Sequence, residues 1–128
     1  MGENSEPCPF CSIDPERWTA SSDAAIAFLD GYPVAEHHTL VIPRRHVVSL
    51  FDLDASEQAE VWRLAGEVRR RLSDEFGIQA FNVGVNDGVA AGQTVPHAHV
   101  HVIPRVAGDS DDPRGGIRWV IPDKARYW

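Results

Sequence analysis

The chain lacks what would carry it into or across a membrane. No apolar run approaches the roughly 20 residues of a spanning helix, and the polar start Met1-Gly2-Glu3-Asn4-Ser5-Glu6 has no apolar core of the kind a secretory signal carries. Basic charge is also in short supply. Against 19 Asp and Glu stand 12 Lys and Arg, a formal net charge of −7. That balance disfavours broad adhesion to nucleic acid or anionic lipid. The expected partners therefore include neither nucleic acid nor a membrane, although one small anionic substrate in a locally positive cleft is compatible with it. Cysteine is scarce: Cys8 and Cys11 are the only two, in the order Cys-Pro-Phe-Cys. Without a secretion signal, that spacing points to metal or redox chemistry and a cytoplasmic address rather than to a structural disulfide. There is no internal repeat, low-complexity block or interdomain linker.

What is present is an ordinary globular composition, 43% hydrophobic and 24% charged over 128 residues. That length suits one domain with a real core. The expected domain is 1–128, with 1–7 as a loose tail and 105–128 as a flexible connector and C-terminal segment.

Histidine is the informative residue. Three of the six lie in His97-Ala98-His99-Val100-His101-Val102-Ile103. Alternation over a short β-branched run is a strand signal, so the three imidazoles are expected on one face, about 6–7 Å apart, with Ala98, Val100 and Val102 packed on the other. Imidazole is a good nucleophile and metal ligand that titrates near neutrality, and three of them in register point to chemistry rather than filling.

Further strands are expected at residues 24–30, closed by Gly31-Tyr32-Pro33, at 39–42 before Pro43, at 81–86, and at 117–121. Asp54-Ala55-Ser56-Glu57 has the form of a capping box. Behind it Val61, Leu64, Ala65, Val68, Leu72 and Phe76 recur at helical spacing as a core stripe, and Gly77 is the stop. The fold class is α+β: an antiparallel sheet of about five strands, one long helix over one face, and a short N-terminal helical segment.

Residues 86–105, with Gly92-Gln93-Thr94-Val95-Pro96 leading into the alternating histidines, closely resemble the signature of the histidine-triad superfamily of nucleotide hydrolases and transferases. His38-Thr39-Leu40-Val41-Ile42-Pro43-Arg44-Arg45-His46 is similar to that family's Gly-His-x-Leu-Val-x-Pro-Lys-x-His segment, with His37 where glycine is usual. The resemblance covers roughly residues 8–105. Residues 92–95 would also supply a glycine-containing turn whose backbone N–H groups, with the Gln93 amide and Thr94 hydroxyl, suit a phosphate oxygen.

The resemblance implies that His99 is the nucleophile that forms a nucleotidyl-histidine later released by water, its other ring nitrogen bonded to a backbone carbonyl near the first histidine. It places His101 and Asn86 on the phosphate, Gly92, Gln93, Thr94 and Val95 around it, Asp30 on the ribose hydroxyls and His38 in support. A Cys-x-x-Cys knuckle needs two more ligands for tetrahedral zinc. Some bacterial members use histidines at positions matching His46 and His97, which makes Cys8, Cys11, His46 and His97 the expected structural zinc set.

The implied activity is cleavage at the α-phosphate of purine nucleotide conjugates such as diadenosine polyphosphates, the branch in which threonine follows the glutamine. Asp30 and the cysteine pair resemble the adenosine phosphoramidase branch instead. The nucleotidyltransferase or phosphorylase branch usually has glutamine at the position of His101, and a non-enzymatic zinc-stapled nucleotide-binding module is the further alternative. The family commonly forms homodimers with one ten-stranded sheet. Magnesium is expected only alongside a polyphosphate substrate, and Arg105, Arg114 and Arg118 are the expected contacts for extra phosphates.

Overall fold

The computed structural model describes residues 8–128. In chain order the regular elements are β1 (Trp18–Ser21), β2 (Ala25–Leu29), β3 (Thr39–Pro43), α1 (Ala55–Phe76), β4 (Ala80–Val85), β5 (Val100–Arg105) and α2 (Pro122–Ala125). Short 3-10 helices at Pro15–Arg17, Leu50–Asp52, Val89–Ala91 and Gly116–Val120 punctuate the loops. The strands form one antiparallel sheet in the order β1-β2-β3-β5-β4. The long connection carrying α1 leaves β3 free to pair with β5, which brings the segment around His38 beside the histidine segment.

Helix α1 begins where its local chemistry requires. Asp54 accepts from the Glu57 amide, and the Glu57 side chain returns the bond to the Asp54 amide, so two otherwise orphaned donors are satisfied. It ends at Gly77, whose φ of 70° is left-handed and whose N–H bonds the Ser73 carbonyl. Val61, Leu64, Ala65 and Val68 are buried against Ala25, Ala27, Val41, Ala98, Val100 and Val102. Removing a side chain such as Leu64 to alanine there would cost about 2–5 kcal/mol. Phe76 departs from the expected core stripe: it is 47% exposed and stacks on His37, ring centroids 4.0 Å apart.

Two other expectations need correction. Residues 117–121 form no strand but the 3-10 turn Gly116–Val120, which leads into α2. Gly115 and Gly116 at positive φ bend the chain there, and a Cβ on Gly116 would meet the Asn82 side chain at 3.1 Å. The fifth strand is instead β1, a four-residue edge strand of sequence Trp-Thr-Ala-Ser with little apolar signal, whose pairing with β2 carries a register shift between Trp18 and Ala20. The expected N-terminal helical segment is the single turn Pro15–Arg17, capped by Asp14. Among the described residues no helix is long and apolar enough to cross a membrane.

Candidate active site

The histidine segment is only partly strand. Strand β5 begins only at Val100, so His97 and His99 precede it and His101 lies within it. The alternation of sides persists, with Ala98, Val100 and Val102 in the core beneath α1. The rings are closer than an ideal strand would place them, His99 and His101 having centroids 5.1 Å apart. They are also not a solvated stripe, since His97 is 0% and His99 7% exposed.

Backbone partners that can only accept or only donate fix the protons on these rings. His99 Nδ1 lies 2.8 Å from the backbone carbonyl of His97, which can only accept, so Nδ1 carries the hydrogen and Nε2 keeps its lone pair. His97 Nε2 donates in the same way to the Pro43 carbonyl at 2.9 Å, leaving Nδ1 as the free ligand atom. His38 Nδ1 accepts from the Val34 amide at 3.1 Å. Its Nε2–H then donates to His101 Nδ1 at 2.9 Å, with a carboxylate oxygen of Asp30 at 3.5 Å from the same nitrogen. His101 must therefore present Nε2–H to the site. Asp30, His38 and His101 lie close enough together to suggest a metal, but both nitrogens of His38 and Nδ1 of His101 are already engaged, leaving only His101 Nε2 open to the site.

Burial keeps the supporting rings neutral. It lowers His101 to about 4, helped by His99 and His38 and opposed by Asp30. It also lowers His38 against the pull of Asp30. His97 is lowered by burial too, against its bond to Pro43.

Beside the triad, one donor atom from each of Cys8, Cys11, His46 and His97 lies within 4.8 Å of the others. Cys8 Sγ is 3.4 Å from His97 Nδ1, and Cys11 Sγ is 3.1 Å from His46 Nδ1 and 3.7 Å from His97 Nδ1. Tetrahedral zinc with ordinary bond lengths separates sulfur from nitrogen ligands by about 3.6 Å, so these residues fit such an ion. The bond from His97 Nε2–H to Pro43 is the kind of support that aims a histidine ligand. Next to His46 in the chain, the Arg45 guanidinium forks onto Glu57 at 3.1 and 2.8 Å and holds that carboxyl down to about 2.

The loop before β5 uses the expected residues unevenly. Gly92 takes φ 98° at the end of the 3-10 turn, a conformation glycine accepts without strain. Gln93 is buried and fully committed: its carbonyl oxygen accepts from Gly88 N at 2.8 Å, and its amide donates to the carbonyls of Val48 and Val95 at 2.8 and 3.0 Å. It braces the loop. Thr94 is exposed and Val95 half-buried, and their amides have no acceptor among the described residues. Asn86 directly follows the last paired residue of β4, Val85, opposite Val100. Asp30 follows β2 with one carboxylate oxygen on the Tyr32 amide at 2.9 Å.

The arginines expected to meet extra phosphates are engaged elsewhere. Arg105 forks onto Asp109 and reaches Asn82, Arg114 pairs with Asp112, and Arg118 donates to the carbonyls of Ala125 and Lys124. A cavity of about 710 Å³ at the far end of β5, lined by Phe76, Ile78, Ile103 and Arg105 among others, contains none of the triad.

The residues that sequence reasoning passed over are aromatic. Phe10 meets His99 edge-on at 5.2 Å and Phe28 at 5.4 Å, and with Phe28 it forms an apolar wall beside His99. The only signal was the position of Phe10 inside the cysteine pair.

Comparison with known proteins matches this arrangement. A family model described as "HIT domain" covers residues 14–108. The chain is 45% identical over 83 residues to the asymmetrical bis(5'-nucleosyl)-tetraphosphatase of Schizosaccharomyces pombe, covering 65% of this chain and 46% of that protein. It is 36% identical over 97 residues to the bifunctional bis(5'-adenosyl)-triphosphatase/adenylylsulfatase FHIT of Arabidopsis thaliana, covering 76% of this chain and 54% of the relative. The chain thus spans about half the length of these two curated relatives. A Zn-bound histidine triad family protein from Mycobacterium smegmatis superimposes with a TM-score of 0.74 at 34% identity, over 80% of this chain and 78% of that one. The chain belongs to the HIT-domain family.

Proposed function

We propose that this protein hydrolyses purine nucleotide conjugates such as diadenosine polyphosphates at the α-phosphate, through a nucleotide held covalently on His99. The observation that carries this reading is the fixed tautomer of His99, whose unprotonated Nε2 is directed away from the His97 carbonyl. Attack by Nε2 forms a P–N bond, and the bond to the leaving phosphate breaks with its electron pair. The ring then bears a positive charge, which the carbonyl accepting from Nδ1–H stabilises. Water next attacks phosphorus, a P–O bond forms as the P–N bond breaks with its electron pair returning to Nε2, and the proton the water loses passes to solvent. Because His101 is neutral, its Nε2–H can donate to a phosphoryl oxygen without placing a second positive charge against the first. Asn86, Thr94, Val95 and the Gly92 turn, which precede the histidine segment in the chain, are assigned to the phosphate in this reading. Asp30 suits the ribose hydroxyls, and Phe10 with Phe28 suits the base.

Zinc on Cys8, Cys11, His46 and His97 is part of this reading as a structural ion that fastens the N-terminal segment, with chemistry confined to His99. The Zn-bound relative and the donor distances support it. Magnesium would arrive with a polyphosphate and needs no resident site. A homodimer through β4 is also proposed, because β4 is a six-residue edge strand with an unpaired side. Adenosine phosphoramidate hydrolysis uses the same half of the site and is the second reading, favoured by Asp30 beside His38. A panel of diadenosine triphosphate, diadenosine tetraphosphate and adenosine phosphoramidate tests both. AMP should be released from the polyphosphates, release from the phosphoramidate alone would move the assignment to the second reading, and release from none would refute the enzyme.

A further inference from the structure

The turn that carries the two cysteines also delivers a ring to the nucleophile. Cys11 N–H bonds the Cys8 carbonyl at 3.3 Å, and Phe10 projects from this turn. It meets His99, Phe28 and His97 edge-on at centroid distances of 5.2, 5.4 and 6.0 Å. Past the turn, the first buried anchor of the chain is Ile13, 8% exposed. Among the described residues, the stretch 8–12 is otherwise tied to the fold by sulfur–imidazole approaches to His46 and His97. Edge-on ring contacts are individually weak, whereas an ion shared by four protein ligands is a strong tether.

We infer that metal bound to Cys8, Cys11, His46 and His97 holds Phe10 against His99, so that metal occupancy and nucleotide affinity are coupled through that one ring. The inference rests on the nucleotide and zinc readings above. His97 offers a second route, being both a cluster residue and the source of the carbonyl that orients His99. That route is buffered: His97 is 0% exposed and its Nε2 is bonded to Pro43 independently of any ion. Metal loss should therefore release Phe10 and weaken nucleotide binding while leaving the orientation of His99 largely in place. Linkage is reciprocal, so nucleotide must tighten metal binding by the same factor as metal tightens nucleotide binding.

The test is a zinc titration of the full chain against a chromophoric chelator, with and without saturating AMP, alongside AMP binding to the zinc-loaded and zinc-free chain. Wild type should show about tenfold coupling in both directions. Phe10→Ala should still bind one zinc and AMP, with coupling close to onefold, and Phe10→Leu should fall between. Zinc and AMP both binding wild type without coupling would overturn this inference alone. Undiminished coupling in Phe10→Ala would also overturn it, since a link made by global folding of the chain on zinc would survive the loss of the ring. Zinc binding without AMP binding would refute the nucleotide reading, and AMP binding without zinc the metal reading, and either would remove the coupling with it.

Discussion

His38 Nε2–H donates to His101 Nδ1 at 2.9 Å, and the Val34 amide fixes the other side of His38. A proton added to either ring breaks this chain. Burial lowers His101 from the ordinary 6.5 to about 4, so between those values the unfolded chain takes up a proton that the folded chain refuses. Stability from this residue is therefore full above about pH 6.5 and is lost as the pH falls towards 4. Urea unfolding midpoints measured across that range should fall less steeply for His101→Gln than for wild type. Parallel curves would show that His101 titrates normally.

Gln93 has its amide bonded to Val48 and Val95 and its carbonyl oxygen to Gly88. Gln93→Ala leaves one donor and two acceptors without their partner; at about 1 kcal/mol of net stability for each of these hydrogen bonds, it should destabilise the fold by about 2–4 kcal/mol. Thermal or urea unfolding measures this directly. A Gln93→Ala chain of wild-type stability but reduced turnover would instead assign the amide to the substrate.

Much of this was legible in the sequence because it is local. The capping box at Asp54 and Glu57, the stop at Gly77 and the alternation of Ala98, Val100 and Val102 are each set by neighbours within a few residues. The four cysteine and histidine ligand candidates were legible only through family resemblance, since His46 and His97 lie far from Cys8 in the chain. The commitment of Gln93 and of Arg105 was not legible, because their partners Val48 and Asn82 are 45 and 23 residues away. The 117–121 segment misled because it is a short run rich in β-branched and aromatic residues, while the bend that stops a strand comes from Gly115 and Gly116 just before it.

Arg114 and Arg118 are held by Asp112 and by the Ala125 and Lys124 carbonyls, and each guanidinium also lies over an aromatic ring, Trp128 at 4.7 Å and Tyr127 at 4.9 Å. Their replacement by alanine should change kcat/KM for diadenosine tetraphosphate and for adenosine phosphoramidate by the same small factor. A selective loss of tenfold or more on the tetraphosphate would show that these side chains leave their partners to read the second nucleotide.

His37 takes a φ of 67°, the left-handed region that favours glycine. Left-handed backbone costs a residue with a Cβ about 1 kcal/mol. His37→Gly and His37→Ala both lose the ring stacked on Phe76, so their difference isolates the backbone. The glycine variant should be about 1 kcal/mol more stable than the alanine variant in chemical unfolding. Equal stabilities would mean that the loop relaxes out of the left-handed conformation.

The covalent step on His99 is tested most directly by quenching the enzyme during turnover of diadenosine tetraphosphate labelled at the α-phosphate, then locating the label by peptide mass spectrometry. An AMP adduct is expected on His99, bound through nitrogen and therefore labile to acid. It should be absent from His99→Ala, whose turnover should fall by several powers of ten with the fold intact. An adduct on another residue, or wild-type turnover by His99→Ala, would contradict the assignment of His99 as the nucleophile.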